Sequence, residues 1–247
     1  MRGKVYIVGG GPGDPGLITV KGLKLIGEAD VIVYDRLAPH EVLSEAKAGA
    51  IKIYAGKEPG GRGLSQEEIN RILVEYASRG LTVVRLKGGD PLVLGRGEEE
   101  CAFVIEHGIE CEIIPGVSSF LAAAASSGVP LTSRGLSSSF AVVTGMEDPS
   151  KGFKSVDLAK IASSVDTIVI LMGASRSAEI LREVAGVRGY EELGVVVMRA
   201  SMPDEKVLAG KLSDLIEAAE RGEIVNPAVI IIGKTVRFRE VLKAGKG

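Results

Sequence analysis

The stretch Val5-Tyr6-Ile7-Val8-Gly9-Gly10-Gly11-Pro12-Gly13-Asp14-Pro15-Gly16 decides how the chain is read. Val5–Val8 is a short apolar run, of the length and type of a strand buried on both faces. It passes straight into a glycine-rich turn. Beyond Leu17-Ile18-Thr19, apolar residues at 20, 23, 25 and 26 predict a helix over Val20–Glu28. Strand, tight turn and helix open a βαβ unit, and open sheets built from such units bind ligands at the carboxyl ends of their strands.

Outward from this unit the pattern repeats. Val31–Tyr34, Ile51–Tyr54, Thr82–Leu86 and Cys111–Ile114 read as further buried strands. Gln66–Ser78, Gly97–His107 and Val117–Ser127 carry helical spacing, and Ser65 with Glu68 forms a capping box at the start of the first of these. The alternation predicts a mostly parallel sheet covered on both faces. Gly128–Ser139, with Gly128, Pro130, Gly135 and a run of serines, breaks the pattern and is read as a linker. A second series follows, with strands at Phe140–Thr144, Thr167–Met172, Val195–Arg199, Lys206–Leu208 and Ala228–Ile232. Its helices fall at Leu158–Ser164, Ala178–Val184 and Leu212–Glu220. The turn-like Ser201-Met202-Pro203-Asp204 makes a hairpin within Val195–Gly210, so the second sheet is expected to be mixed. The fold class is therefore α/β, with an N-terminal α/β domain over residues 1–134 and a C-terminal one over 135–247.

Composition narrows the function. The chain has 247 residues, 45% hydrophobic and 25% charged, ordinary values for a globular protein with a sizeable core. Lys and Arg number 30 against 32 Asp and Glu, with no basic run, and aromatic residues are 4% with no Trp. Nucleic acid is a poor partner for such a surface. Cys101 and Cys111 cannot supply a four-ligand zinc site and are read as two small buried hydrophobes, so no metal is expected. The N-terminus runs directly into a strand pattern without a signal-peptide core, and no apolar stretch reaches the ~18–20 residues of a membrane span. The expectation is a cytoplasmic protein in a reducing compartment, with no membrane partner.

The glycine turn fits Gly11-x-Gly13-x-x-Gly16, and Asp35 lies 19 residues beyond Gly16, as in dinucleotide-binding proteins. Pro12 and Pro15 argue against that reading, because they remove N–H donors from the loop that would cradle a pyrophosphate. The helix also begins near Thr19 rather than among the glycines. There is no Gly-Lys-Ser/Thr. A stiff, proline-fixed turn suits close approach by a ligand without phosphate. Gly88-Gly89-Asp90, after the strand ending Arg85-Leu86-Lys87, offers a second close approach and a carboxylate. Asp35-Arg36 after Val31–Tyr34, Lys57 after Ile51–Tyr54, and Pro115-Gly116-Val117-Ser118-Ser119 complete the strand-end positions. His40 and His107 have no partners at metal spacing and read as surface residues.

Taken in order, Val8–Leu17, Val33–Leu37, Leu86–Pro91 with Gly95-Arg96-Gly97, Pro115–Ser119 and Gly128–Thr132 resemble the tetrapyrrole methyltransferases. The resemblance runs on through Leu171-Met172-Gly173 to Asn226-Pro227-Ala228. It implies two α/β domains with the active site in the cleft between them, a homodimer, and methyl transfer from S-adenosylmethionine to two ring carbons of a polycarboxylate tetrapyrrole. Carried over by position, it implies cofactor contacts at Pro12, Gly88, Gly89, Asp90, Val93, Ser118, Ser119, Met172, Ala200 and, more weakly, Ala228. Asp35 and Lys57 fall at the family's acid/base positions, with Asp35 the candidate base. Arg96 falls at an arginine implicated in substrate handling. Arg36 and Arg96 rank first among Arg36, Lys57, Arg62, Arg85, Lys87, Arg96 and Arg134 for meeting substrate carboxylates, because guanidinium forks bind carboxylates bidentately. Ser118-Ser119 departs from the family's usual Thr-Ala, Ser133 from a common His, and Ala200 from a common Gly. A dehydrogenase remains the rival reading on Gly11, Gly13, Gly16 and Asp35, and a non-catalytic protein of the same fold a further one.

Overall fold

A computed structural model describes residues 3–56, 63–146 and 156–244. The chain divides into two compact units, Met1–Ser119 and Phe120–Gly247. The sequence pattern places the boundary at 134/135; the two compact units divide after Ser119, the first residue of the helix Ser119–Ser127.

In the first unit, β1 (Lys4–Gly9), α1 (Val20–Glu28), β2 (Val31–Tyr34), β3 (Ile51–Tyr54), α2 (Gln66–Ser78), β4 (Thr82–Lys87), α3 (Gly97–Glu106) and β5 (Glu110–Ile114) follow the expected alternation. The sheet has the order β3-β2-β4-β1-β5, and every pairing is parallel. Strict alternation sends Val83, Arg85 and Lys87 of β4 to one face, and Val84 and Leu86 to the other. The Val84 face packs on Leu25 and Ile26 of α1. The Val83 face packs on Leu73 and Ala77 of α2 and on Cys101 and Val104 of α3. Both sides being covered, the central strands are apolar almost throughout, as a parallel sheet requires. The capping box of α2 is closed in both directions: Glu68 N–H donates to Ser65 Oγ at 3.2 Å, and Ser65 N–H to Glu68 Oε2 at 2.6 Å.

The second unit contains α4 (Ser119–Ser127), β6 (Phe140–Thr144), α5 (Leu158–Ser164), β7 (Thr167–Leu171), α6 (Ser177–Arg188), β8 (Leu193–Met198), β9 (Lys206–Lys211), α7 (Leu212–Glu220), β10 (Ala228–Ile232) and α8 (Phe238–Ala244). Its order is β6-β7-β10-β8-β9. Only β6 and β7 pair in parallel, and β8–β9 is the expected hairpin, so the sheet is mixed. The stretch read as a linker is tied down. Ser133 and Ser137 exchange backbone bonds at 2.9 Å, and the N–H groups of Ser138 and Ser139 donate to Asp166 Oδ2 at 2.8 and 3.0 Å.

One expectation is corrected. Cys101 is buried in the α3 core stripe as foreseen, but it is joined to Cys111 in a disulfide. The chain reverses from α3 into β5 through Gly108, which takes φ +71°. This reversal brings two cysteines separated by 10 residues to a Cα–Cα distance of 5.6 Å, inside the range that a disulfide can bridge. Among the described residues, no helix is long and apolar enough to cross a membrane.

Candidate active site

The loops leaving β1, β4 and β5 meet through their backbones. Gly89 N–H donates to the Gly11 carbonyl at 2.7 Å, and Gly11 N–H returns a bond to the Gly89 carbonyl at 3.2 Å. A short antiparallel bridge thus closes over two parallel strands. Gly10 N–H adds a bond to the Lys87 carbonyl at 2.8 Å. A Cβ on Gly9 would lie 2.6 Å from Gly116 N and 2.7 Å from Gly89 O, so these strand ends meet only as glycines. Gly89 has φ +69°, and its open side faces Ser118 and Ser119, whose backbones lie 3.8–4.0 Å from where a Cβ would stand. Asp90 fastens the arrangement: Oδ1 accepts from Leu92 N–H at 2.8 Å and Oδ2 from Gly116 N–H at 3.0 Å.

Pro12 projects from the first of these loops, half-buried and without an N–H. The turn then passes through a 3-10 segment, Pro15–Leu17, and α1 starts only at Val20, capped by Thr19 Oγ1. The N-terminus of α1 therefore does not open within the glycine turn, as the dinucleotide reading requires. Pro12, Gly88, Gly89, Asp90, Val93 and Ser118 sit on the loops following β1, β4 and β5, three adjacent strands, and Ser119 opens the helix α4 directly after the last of these loops. Met172, Ala200 and Ala228 belong to the second unit, where they lie at one end of its three central strands. Leu171 pairs with Val229 and Met198 with Ala228, so the ends of β7, β10 and β8 lie side by side. Met172 is exposed with φ +55°, whereas Ala200 and Ala228 are buried.

Asp35 follows β2, next to β4. Its Oδ1 accepts from Arg85 Nη2 at 2.6 Å, and its Oδ2 has Lys87 Nζ at 3.9 Å, an ion-pair distance rather than a hydrogen bond. Behind it, Glu100 Oε1 accepts from Lys87 Nζ at 2.8 Å, Arg85 Nε at 3.2 Å and Gln66 Nε2 at 2.9 Å. Side-chain exposure runs 0% for Glu100, 2% for Arg85, 6% for Lys87 and 29% for Asp35, so the network is interior at one end and opens at Asp35. Burial, and then the neighbouring Arg85 guanidinium, push the Lys87 ammonium below the ordinary lysine value, while Glu100 and Asp35 oppose the shift. Arg85 and Lys87 are thus committed inside the fold and are not available to substrate carboxylates. The strand pattern contained part of the signal, since Arg85 falls within Thr82–Leu86, a run otherwise reading as buried, and Lys87 directly follows it.

Arg36 is exposed beside Asp35. Arg96, with φ +59°, is the N-cap of α3 and lies against Glu99, 2.7 Å from Nη2 and 3.1 Å from Nε. Lys57 and Arg62 lie outside the described residues. His40 and His107 are exposed, and His40 Nε2 lies 3.0 Å from the Asp35 carbonyl oxygen. Among the described residues, no group of three or more His, Cys, Asp and Glu could hold a metal. Sequence reasoning missed Glu100 and Gln66.

An all-backbone glycine cradle beside a buried charge network, in a chain of two α/β units, fits a methyl-transfer protein of one class. The chain matches the tetrapyrrole (corrin/porphyrin) methylases over residues 4–216, and it belongs to that family. Among its relatives is a uroporphyrinogen-III C-methyltransferase of Methanocaldococcus jannaschii, 47% identical over 96% of this chain and 98% of the relative. Another, bearing the same name, is from Priestia megaterium, 43% identical over 96% and 99%. A solved uroporphyrin-III C-methyl transferase of Thermus thermophilus, complexed with S-adenyl homocysteine, superposes with a TM-score of 0.80 at 42% identity, covering 95% of this chain and 94% of that one.

Proposed function

We propose that the protein transfers methyl groups from S-adenosylmethionine to two ring carbons of uroporphyrinogen III, giving precorrin-2, the branch point toward sirohaem and cobalamin. The observation that carries this reading is the glycine cradle at Gly11, Gly89 and Gly116 with Pro12 at its rim. It presents backbone carbonyls, the buried Ser118 and the half-buried Ser119, and α1 opens only at Val20, beyond the glycine turn, unlike the helix of a dinucleotide site. Those groups suit an adenosyl ligand that carries no phosphate.

S-adenosylmethionine, when bound, supplies an electrophilic methyl on a sulfonium. The chain's own residues do the rest. Pro12, Gly88, Gly89, Asp90, Val93, Ser118 and Ser119, together with Met172, Ala200 and Ala228, hold the cofactor. A pyrrole carbon forms the new C–C bond as the S–CH3 bond breaks, and the sulfonium becomes a neutral thioether. The ring N–H then loses its proton, and Asp35 Oδ2 accepts it while Arg85 keeps the other oxygen occupied. Lys57 is a second acid/base candidate. Arg36 and Arg96 meet the carboxylates of the substrate. Alignment of carbon, methyl and sulfur at about 3–3.5 Å supplies most of the acceleration.

The reading extends to a cytoplasmic homodimer, which light scattering of the purified protein tests. Calorimetry with S-adenosylhomocysteine and with NAD(H), followed by assay for the absorbance of precorrin-2, tests the function. Binding of the former alone and appearance of the product are expected. NAD(H) binding, or no product with both substrates supplied, overturns the reading.

A further inference from the structure

Glu100 has no role in the reaction as described, yet its position is unusual. Residues 97, 100, 101 and 104 form the buried stripe of α3. Three of them are Gly, Cys and Val, and the fourth is a carboxylate with no exposed surface. A buried carboxylate is tolerated only where its charge is met. Here two cations meet it through Oε1, while Oε2 is buried with no hydrogen-bond partner. The same two cations reach Asp35 on their other side. Two positive and two negative groups cancel, so the share of Arg85 and Lys87 that falls to Asp35 is set by what Glu100 takes.

We propose that Glu100 is a positioning residue for methyl transfer: by holding Lys87 and Arg85 from the core side, it fixes the Asp35 carboxylate at the tip of β2 and keeps Lys87 from closing onto it. This inference rests on the reading of Asp35 as proton acceptor. The geometry gives the consequence of neutralising Glu100. Lys87 loses its acceptor at 2.8 Å, and its next carboxylate oxygen is Asp35 Oδ2 at 3.9 Å. A short movement of Nζ converts that contact into a hydrogen bond and occupies the oxygen the substrate needs. Lys87 is already pushed toward its neutral form, so the pair is poised to change when Glu100 does.

The test uses the full chain with Glu100→Gln, Lys87→Met, the double variant and Asp35→Asn. Each is measured for cooperative melting, S-adenosylhomocysteine affinity, kcat, KM for the tetrapyrrole and the pH profile of kcat. Glu100→Gln is expected to fold, to keep cofactor affinity and KM within about threefold, to lose kcat by roughly tenfold or more, and to shift the pH profile. The double variant is expected to recover most of kcat, because removing one cation with one carboxylate restores neutrality. Wild-type kcat and pH profile in Glu100→Gln overturn the proposal, as does a loss that the double variant fails to recover. An inactive Asp35→Asn beside a fully active Glu100→Gln sinks the role of Glu100 and leaves Asp35 standing. A fully active Asp35→Asn removes Asp35 as proton acceptor, and with it the route by which Glu100 acts.

Discussion

The carboxylate of Asp90 accepts the Gly116 N–H at 3.0 Å, and this one bond joins the loop after β4 to the loop after β5. Asp90 is therefore a structural tie as well as a proposed cofactor contact. Asp90→Ala leaves the Leu92 and Gly116 donors without acceptors and is expected to cost about 2 kcal/mol, with weaker S-adenosylhomocysteine binding. Asp90→Asn keeps one acceptor oxygen and should lose about half as much. Chemical denaturation and calorimetry of the two variants check the order.

Glycine substitutions should divide sharply by position. Gly116→Ala sets a Cβ 2.8 Å from Gly9 Cα with only backbone to yield, and about 2–3 kcal/mol of destabilisation is expected. Gly186 lies exposed in α6 with nothing within 4 Å of a built Cβ, so Gly186→Ala should stabilise by about 0.5–1 kcal/mol through helix propensity alone. Thermal melts of the pair decide the matter.

Arg96→Lys keeps the charge at the N-terminus of α3 but loses the planar fork. It is expected to lower kcat/KM by about tenfold or more with little change in melting temperature, the worth of one charged hydrogen bond. Steady-state kinetics with the tetrapyrrole varied would expose the reverse result, namely unaltered turnover and KM.

Cys101→Ser with Cys111→Ser opens the ring that joins α3 to β5. Closing a loop of this size is worth about 2–3 kcal/mol in the chain-entropy account. The loss is expected to be larger, by about that amount, in the unreduced protein than in protein kept under dithiothreitol, where only the cost of placing a hydroxyl in the core at position 101 remains. Thiol counting under denaturing, non-reducing conditions establishes whether the bond is formed.

Asp166 is held below the ordinary aspartate value of 3.8, chiefly by the Ser138 N–H and then by Ser139. Because the folded value is depressed, its contribution to stability is complete above the ordinary value and is lost as the pH falls through the folded one. Asp166→Asn should therefore destabilise at neutral pH and flatten the acid limb of the stability curve. Activity should follow only the folded fraction. A series of melts from pH 7 to about pH 2 tests this against the ordinary aspartate range.

Much of the first sheet was legible because its strands lie between helices and are apolar on both faces. Val31–Tyr34, Ile51–Tyr54, Val20–Glu28 and Gln66–Ser78 fall where the spacing put them. The stretch Gly128–Ser139 read as a linker, because composition cannot distinguish a polar linker from a polar segment hydrogen-bonded to Asp166. Helix α8 was missed, being only 7 residues long at the end of the chain. The loop positions of the candidate site were readable from glycine and proline. The buried partnership of Arg85, Lys87 and Glu100 was not, since α3 and β4 reveal opposite charges in sequence but not which of them face one another. The disulfide was hidden for the same reason: only the reversal at Gly108 brings its two halves together.

The junction of Gly9 and Gly116 has a consequence for anyone searching for the working parts of this enzyme by random mutagenesis. Nearly every replacement there would abolish growth in a selection, although neither carries a functional group. A library scored by survival would thus rank mute positions beside the acid and base. Only a second screen, for soluble and correctly melting protein, would tell architecture from chemistry.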